Sequence, residues 1–168
     1  MFFLRCTRKL LDRLPRSVAP ATEQAASTTR MGDWTGNLLF IARQQVVLGV
    51  NNKTLLPVLL PIAPNKTFLP RFTETAGEML MVLGIDRPKV LSEMAGMNEC
   101  FVAPTNDRRV LGTMNDFGRM LEDYLDGRAL VEVALHLADA PCSPIGMRNP
   151  RDVTRDLFAA STLRLVKG

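Results

Sequence analysis

Histidine, cysteine and long apolar runs are scarce in this 168-residue chain, and each scarcity removes a class of function. The three cysteines, Cys6, Cys100 and Cys142, are odd in number and widely spaced, with no C-x-x-C pair. That pattern excludes a disulfide framework and a thiolate zinc site, and it suits buried thiols in a reducing compartment. The one histidine, His136, lies among Val133, Ala134, Leu135 and Leu137 and reads as a helix-surface or half-buried residue, not a catalyst. The longest apolar run, residues 55–63, contains Pro57 and Pro61 and falls far short of the roughly 20 residues that span a bilayer. There is no secretory apolar segment, no G-x-x-x-x-G-K-[ST] loop and no G-x-G-x-x-G turn, so neither export nor nucleotide binding finds support. No serine or cysteine has a base partner nearby in sequence. Glu74 and Glu78 stand four apart on one predicted helix face, a spacing that more often marks solvated surface than an acid pair or a metal site. No catalytic residue, cofactor or metal is therefore expected, and the balance leans away from an enzyme.

What is present describes an ordinary soluble domain. With 46% hydrophobic and 23% charged residues the chain has enough apolar material for a single core. The net charge is +4, but its distribution matters more than its size. Residues 1–30 hold Arg5, Arg8, Lys9, Arg13, Arg16 and Arg30 against Asp12 and Glu23, which accounts for the whole excess. The other 138 residues are electrically balanced, whereas a dedicated nucleic-acid binder usually carries its basic face on the folded body. The same leading segment has the Arg-rich, acid-poor character of a transit peptide. Asp12 interrupts it, however, and Phe2-Phe3-Leu4-Arg5 reads as an edge strand entering a short helix. A cytoplasmic location and no membrane association are expected.

Residues 15–32 are rich in Ala, Ser, Thr and Pro and predict a surface loop or mobile insertion within one domain spanning residues 1–168. Three apolar runs follow, at residues 37–41, 45–50 and 55–62. Arg43-Gln44 separates the first two, and Asn51-Asn52-Lys53 makes a tight turn before the third, so an antiparallel meander is predicted. Pro57 and Pro61 push the third strand to an edge or a bulge. Helical spacing takes over at residues 68–83, where Phe68, Phe72, Ala76, Met79, Leu80 and Leu83 share a stripe, and a shorter helix fits residues 88–97. Trp34 reads as a core anchor, and methionines such as Met79, Met94, Met114 and Met120 as core filler.

Residues 105–116, Thr-Asn-Asp-Arg-Arg-Val-Leu-Gly-Thr-Met-Asn-Asp, admit two readings. In the first they only shape backbone: Asn106-Asp107 turns between strands at 99–103 and 109–113, and Thr113 or Asn115 caps a helix running over 116–137. In the second, Arg108 and Arg109 point to opposite strand faces and one presents its guanidinium fork to a carboxylate or phosphate. Candidate binding residues are Arg43, Asn51, Thr105, Asn106, Arg108, Arg109 and Asn115.

Trp34-x-x-Asn37-Leu38-Leu39, then Asn51 and Thr54, then Thr105-Asn106 with the run from Arg109 to Asp116 resembles a bacterial domain family of uncharacterised function. The likeness extends to Thr7-Arg8-Lys9-Leu10-Leu11 near one end and to Pro141 and Pro150-Arg151-Asp152-Val153 near the other. Gly-Thr-Met-Asn-Asp is its specific portion. The chain departs from it in the longer stretch at residues 15–32 and in Asp107-Arg108. The resemblance implies no reaction; it points weakly to accessory-genome roles, phage-related or toxin–antitoxin.

The expected fold is one α+β domain, a mainly antiparallel sheet of five or six strands covered by helices at 68–83 and 116–137. The expected function is a non-enzymatic binding or regulatory protein acting through a protein partner. Two alternatives stand beside it: a factor acting on nucleic acid through Arg43, Lys53, Arg108, Arg109 and the basic leading segment, and an enzyme on a small anionic substrate.

Overall fold

Five short strands, each too brief to be stable alone, form one sheet in the order β4-β3-β2-β1-β5. They are β1 (Phe2–Cys6), β2 (Trp34–Ile41), β3 (Gln44–Asn51), β4 (Pro57–Pro61) and β5 (Cys100–Pro104). The helices are α1 (Arg8–Leu11), α2 (Phe68–Val82), α3 (Arg87–Gly96), α4 (Arg108–Tyr124), α5 (Leu130–Ala138) and α6 (Pro150–Leu165). The computed structural model describes residues 1–15, 25–105 and 107–165, and in α6 the side chains as far as residue 160. The mobility expected of residues 15–32 therefore falls partly outside the described residues. Among those described, residues 25–32 are anchored: Thr28 N–H donates to the Met1 carbonyl, and the Arg30 and Met31 N–H groups donate to the two carboxylate oxygens of buried Glu93. Among the described residues no helix is long and apolar enough to cross a membrane.

The sheet is mixed, which corrects the mainly antiparallel expectation. β2, β3 and β4 form the expected meander, but β1 pairs in parallel with both β2 and β5. Parallel neighbours need long crossovers. Residues 7–33 supply one between β1 and β2, and α2 with α3 supply the return from β4 to β5. β1 is thus an interior strand and not an edge: Phe2, Leu4 and Cys6 are all buried. The edge beyond β3 is β4, where Pro57 and Pro61 cost no pairing on the outer side.

The β2–β3 connection is a two-residue turn, Ala42-Arg43, with φ of 50° and 63°, the left-handed pair whose twist suits a hairpin. Neither residue is glycine or asparagine, so the turn stores about 1 kcal/mol or more of strain per residue. The β3–β4 connection is wider than the expected Asn51-Asn52-Lys53 turn, because Leu55 and Leu56 dip into the core before β4 begins. It closes through Asn51 N–H to the Leu56 carbonyl and Leu55 N–H to the Asn51 carbonyl.

Alternate strand residues face opposite sides of a sheet. On one side, Trp34 meets Phe72 of α2 edge-on at 5.5 Å between centroids, and Phe2 stacks on the same ring at 6.1 Å. Gly36 and Gly49 are directly paired across β2 and β3, and both are needed small. A Cβ at Gly49 would sit 2.6 Å from Phe72 Cε2, and one at Gly36 would sit 2.7 Å from Leu10 Cδ2 of α1. The opposite set, Val46, Leu48 and Val50, is equally buried, under α4 on β2 and β3 and α5 on β4. Helices therefore cover both faces. The single covering helix expected over 116–137 is two helices, divided where Gly127 adopts φ of 72°.

Candidate functional site

Residues 105–116 do not form the predicted strand, turn and cap. The helix starts eight residues early, at Arg108, and its cap is Asp107, whose Oδ1 accepts the N–H groups of Arg109 at 3.0 Å and Val110 at 3.3 Å. The reason is periodicity: Val110, Met114, Phe117 and Leu121 are spaced four, three and four apart and are all buried, one continuous stripe against the sheet. A strand would have thrown half of them into water. Thr113 and Asn115 are therefore helix-interior residues and cap nothing; the Thr113 hydroxyl bonds back to the Arg109 carbonyl at 3.4 Å. The place beside β5 kept for residues 109–113 is taken by β1.

The outward face of α4 carries Arg108, Gly112, Asn115, Asp116 and Arg119, at successive helical intervals of four, three, one and three. Opposite it runs the loop joining α5 to α6. That loop is held at its base by Arg151, whose guanidinium grips Asp139 through two hydrogen bonds of 2.6 and 3.0 Å. Within it the Met147 N–H returns to the Cys142 carbonyl, and Gly146 and Met147 adopt left-handed backbone. Asn149 caps α6 by accepting the Asp152 N–H at 2.8 Å. Helix face and loop enclose an open groove of about 640 Å³, walled also by Pro141, Cys142, Ser143 and Pro144.

Charge in the groove is mainly positive. Arg109 donates to the Asn52 carbonyl at 2.6 Å, and Arg119 lies 3.6 Å from Asp116 in a pair that is open to solvent on both sides. Surface pairs of that kind contribute little and exchange readily. Exposed Arg108 makes no ion pair among the described residues. The Cys142 thiol is pushed up from its ordinary pKa by burial first and by the Asp116 charge second, which favours the thiol over the thiolate.

Gly112 needs its own explanation. Glycine in a helix interior costs about 1 kcal/mol against alanine, and a Cβ at Gly112 would meet nothing within 4 Å. Internal packing does not require the missing side chain. It leaves a smooth patch of backbone between Arg108 and Asn115 on the groove wall.

The remaining sequence candidates disperse. Arg108, Arg109 and Asn115 line the groove. Asn51, the last residue of β3, is fully buried and spends its amide on main chain, donating to the Met31 and Asp33 carbonyls and accepting from Lys53 and Thr54 N–H. Asn37 accepts the Thr7 hydroxyl at 2.7 Å. Thr105 bonds its N–H to the Cys6 carbonyl, while its buried Oγ1 has no partner among the described residues. Asn106 lies outside the described residues. Arg43 sits at the hairpin tip, at the opposite end of β3 from Asn52, whose carbonyl Arg109 reaches. Lys53 donates to the Arg30 carbonyl. Glu74 and Glu78 are exposed on α2, and exposed His136 stacks on Tyr124 at 4.9 Å. Arg119 and the loop wall escaped the sequence reading, because Arg119 joins Arg108 on one face only once the helix is known to begin at residue 108.

No curated protein and no solved structure matches the chain. Over residues 3–153, nearly its full length, it matches the family described as domain of unknown function DUF6933. The protein belongs to that family.

Proposed function

We propose that this protein is a non-enzymatic binding protein whose α4 groove takes an extended, acidic segment of a protein partner. The observation that carries the reading is Gly112: a helix residue kept without a side chain, facing open groove, flanked by Arg108 and Arg119 at either end of the same face. An extended chain needs close backbone approach in its middle and opposite charge along its length, and the groove offers both. Asn115 and Ser143 add amide and hydroxyl groups for main-chain hydrogen bonds. The clamped base of the loop keeps the far wall in place before binding, which lowers the ordering cost.

The test is fluorescence anisotropy with a labelled glutamate-rich decapeptide at low salt. Binding should be saturable and should fall about tenfold or more when Arg108 and Arg119 are both changed to Ala. Gly112→Leu should block it by bulk alone. Gly118→Leu is the control, because Gly118 also faces open space but lies outside the groove. Undiminished affinity in Gly112→Leu would remove the reading.

A further inference from the structure

The β2–β3 hairpin is not accounted for by the α4 groove. Phe40, near its tip, is 73% exposed, the most exposed large apolar side chain among the described residues. Gln45 is its direct cross-strand neighbour, and Leu38 and Leu39 are only partly buried. Together with Lys9, Asp12 and Arg13 from α1 and the turn after it, these residues line a pocket of about 340 Å³. Arg43 stands two residues before Gln45 in the left-handed turn, a position where glycine or asparagine would be more stable. Lys9, Arg13 and Arg43 are all exposed and make no ion pair among the described residues. Asp12 is the one acidic residue in the set.

We infer that this hairpin and α1 form a binding site for single-stranded nucleic acid, with a base stacked on Phe40 and phosphates held by Lys9, Arg13 and Arg43. An exposed ring beside free cations meets the two requirements of such a ligand: a π face for an unpaired base and charge for its backbone. Asp12 and Gln45 supply an acceptor and an amide for the base edge. A duplex keeps its base faces stacked and gives Phe40 nothing to cover. Two of the six basic residues of the 1–30 segment, Lys9 and Arg13, line this pocket beside the Phe40 ring. The site shares no residue with the α4 groove.

The test is fluorescence anisotropy of the full chain with fluorescein-labelled dT12 and rU12 at about 50 mM salt, with a duplex of equal length alongside. Single strands should bind better than duplex, and Phe40→Ala should weaken binding about 5- to 150-fold, the span of one lost base stack. Phe40→Leu should be as weak as alanine, while Phe40→Trp should retain affinity. Removing Arg13 and Arg43 together should flatten the salt dependence by about 1.4 in log–log slope. Absence of binding, equal affinity for duplex, or full affinity in Phe40→Leu would each overturn the proposal. So would Phe40-dependent binding to phosphatidylserine vesicles that dT12 does not displace, which would make the tip a membrane contact instead.

Discussion

Truncating Asn51 should be among the most damaging single changes in this protein, although the residue touches no groove. Its amide makes five hydrogen bonds: Nδ2 to the Met31 carbonyl at 2.9 Å and the Asp33 carbonyl at 3.3 Å, and Oδ1 from Lys53 N–H, Thr54 N–H and the Thr54 hydroxyl at 3.0, 3.0 and 3.3 Å. Asn51 is fully buried, and Met31 and Thr54 are 0% and 1% exposed. In Asn51→Ala the Met31 carbonyl and the Thr54 N–H lose their partner where water does not reach, while the Lys53 N–H lies near solvent. At about 1–3 kcal/mol for each stranded group, the loss is about 2–6 kcal/mol. Domain stability is typically about 5–15 kcal/mol, so a large share is at stake. With a urea m-value of about 2 kcal/mol/M, the midpoint should fall by about 1–3 M with unchanged slope. Trp34, the only tryptophan and fully buried, reports the transition by its fluorescence. Asn51→Asp should be no better, since it turns a carboxylate oxygen toward two carbonyl oxygens. A midpoint shift below about 0.5 M in Asn51→Ala would refute the argument and free Asn51 for a ligand role.

Four further outcomes are expected. Gly49→Ala should lower the melting temperature by about 3–10 °C, because the new Cβ presses on Phe72 and overpacking costs about 1–3 kcal/mol. Gly112→Ala should instead raise it by about 2–4 °C through helix propensity alone, and calorimetry of the pair checks the contrast. Asp107→Ala should cost about 1 kcal/mol by uncapping α4, with Asp107→Asn restoring most of it in the same urea assay; equal loss in both would count against the cap. Burial holds the Cys6 and Cys100 thiols up to about 12 from an ordinary 9.0. Their raised values favour the native state while both are protonated, below pH 9, and that contribution is lost as pH climbs from 9 toward 12. The urea midpoint should therefore fall over that range, and a Cys6→Ala plus Cys100→Ala variant should show a shallower fall.

Some of this architecture was legible residue by residue. The stripe Phe68, Phe72, Ala76, Met79 and Leu80 marked a helix because 3.6-residue spacing is a local property. Pro57 and Pro61 marked β4 as an edge because a missing N–H is local as well. The charge excess of residues 1–30 was likewise visible as a count. Residues 108–115 carry a turn-and-cap signal in sequence because Asn, Asp, Gly and Thr are turn and cap formers wherever they occur. Val110 and Met114 join the stripe of Phe117 and Leu121 only when the reading starts upstream of the glycine.

Pairing and convergence were settled by tertiary structure alone. Nothing in Phe2–Cys6 says that β1 lies between β2 and β5, since strand order depends on where long crossovers return the chain. Asn51 and Asn115 are the same residue type, yet one is sealed at the end of β3 and the other faces an open groove, because burial is set by neighbours distant in sequence. Phe40 continues an apolar run and would be counted as core from sequence. It emerges into solvent beside the two-residue turn at the tip of the β2–β3 hairpin. Local chemistry chose the elements; the contacts between elements chose which side chains were left to meet a ligand.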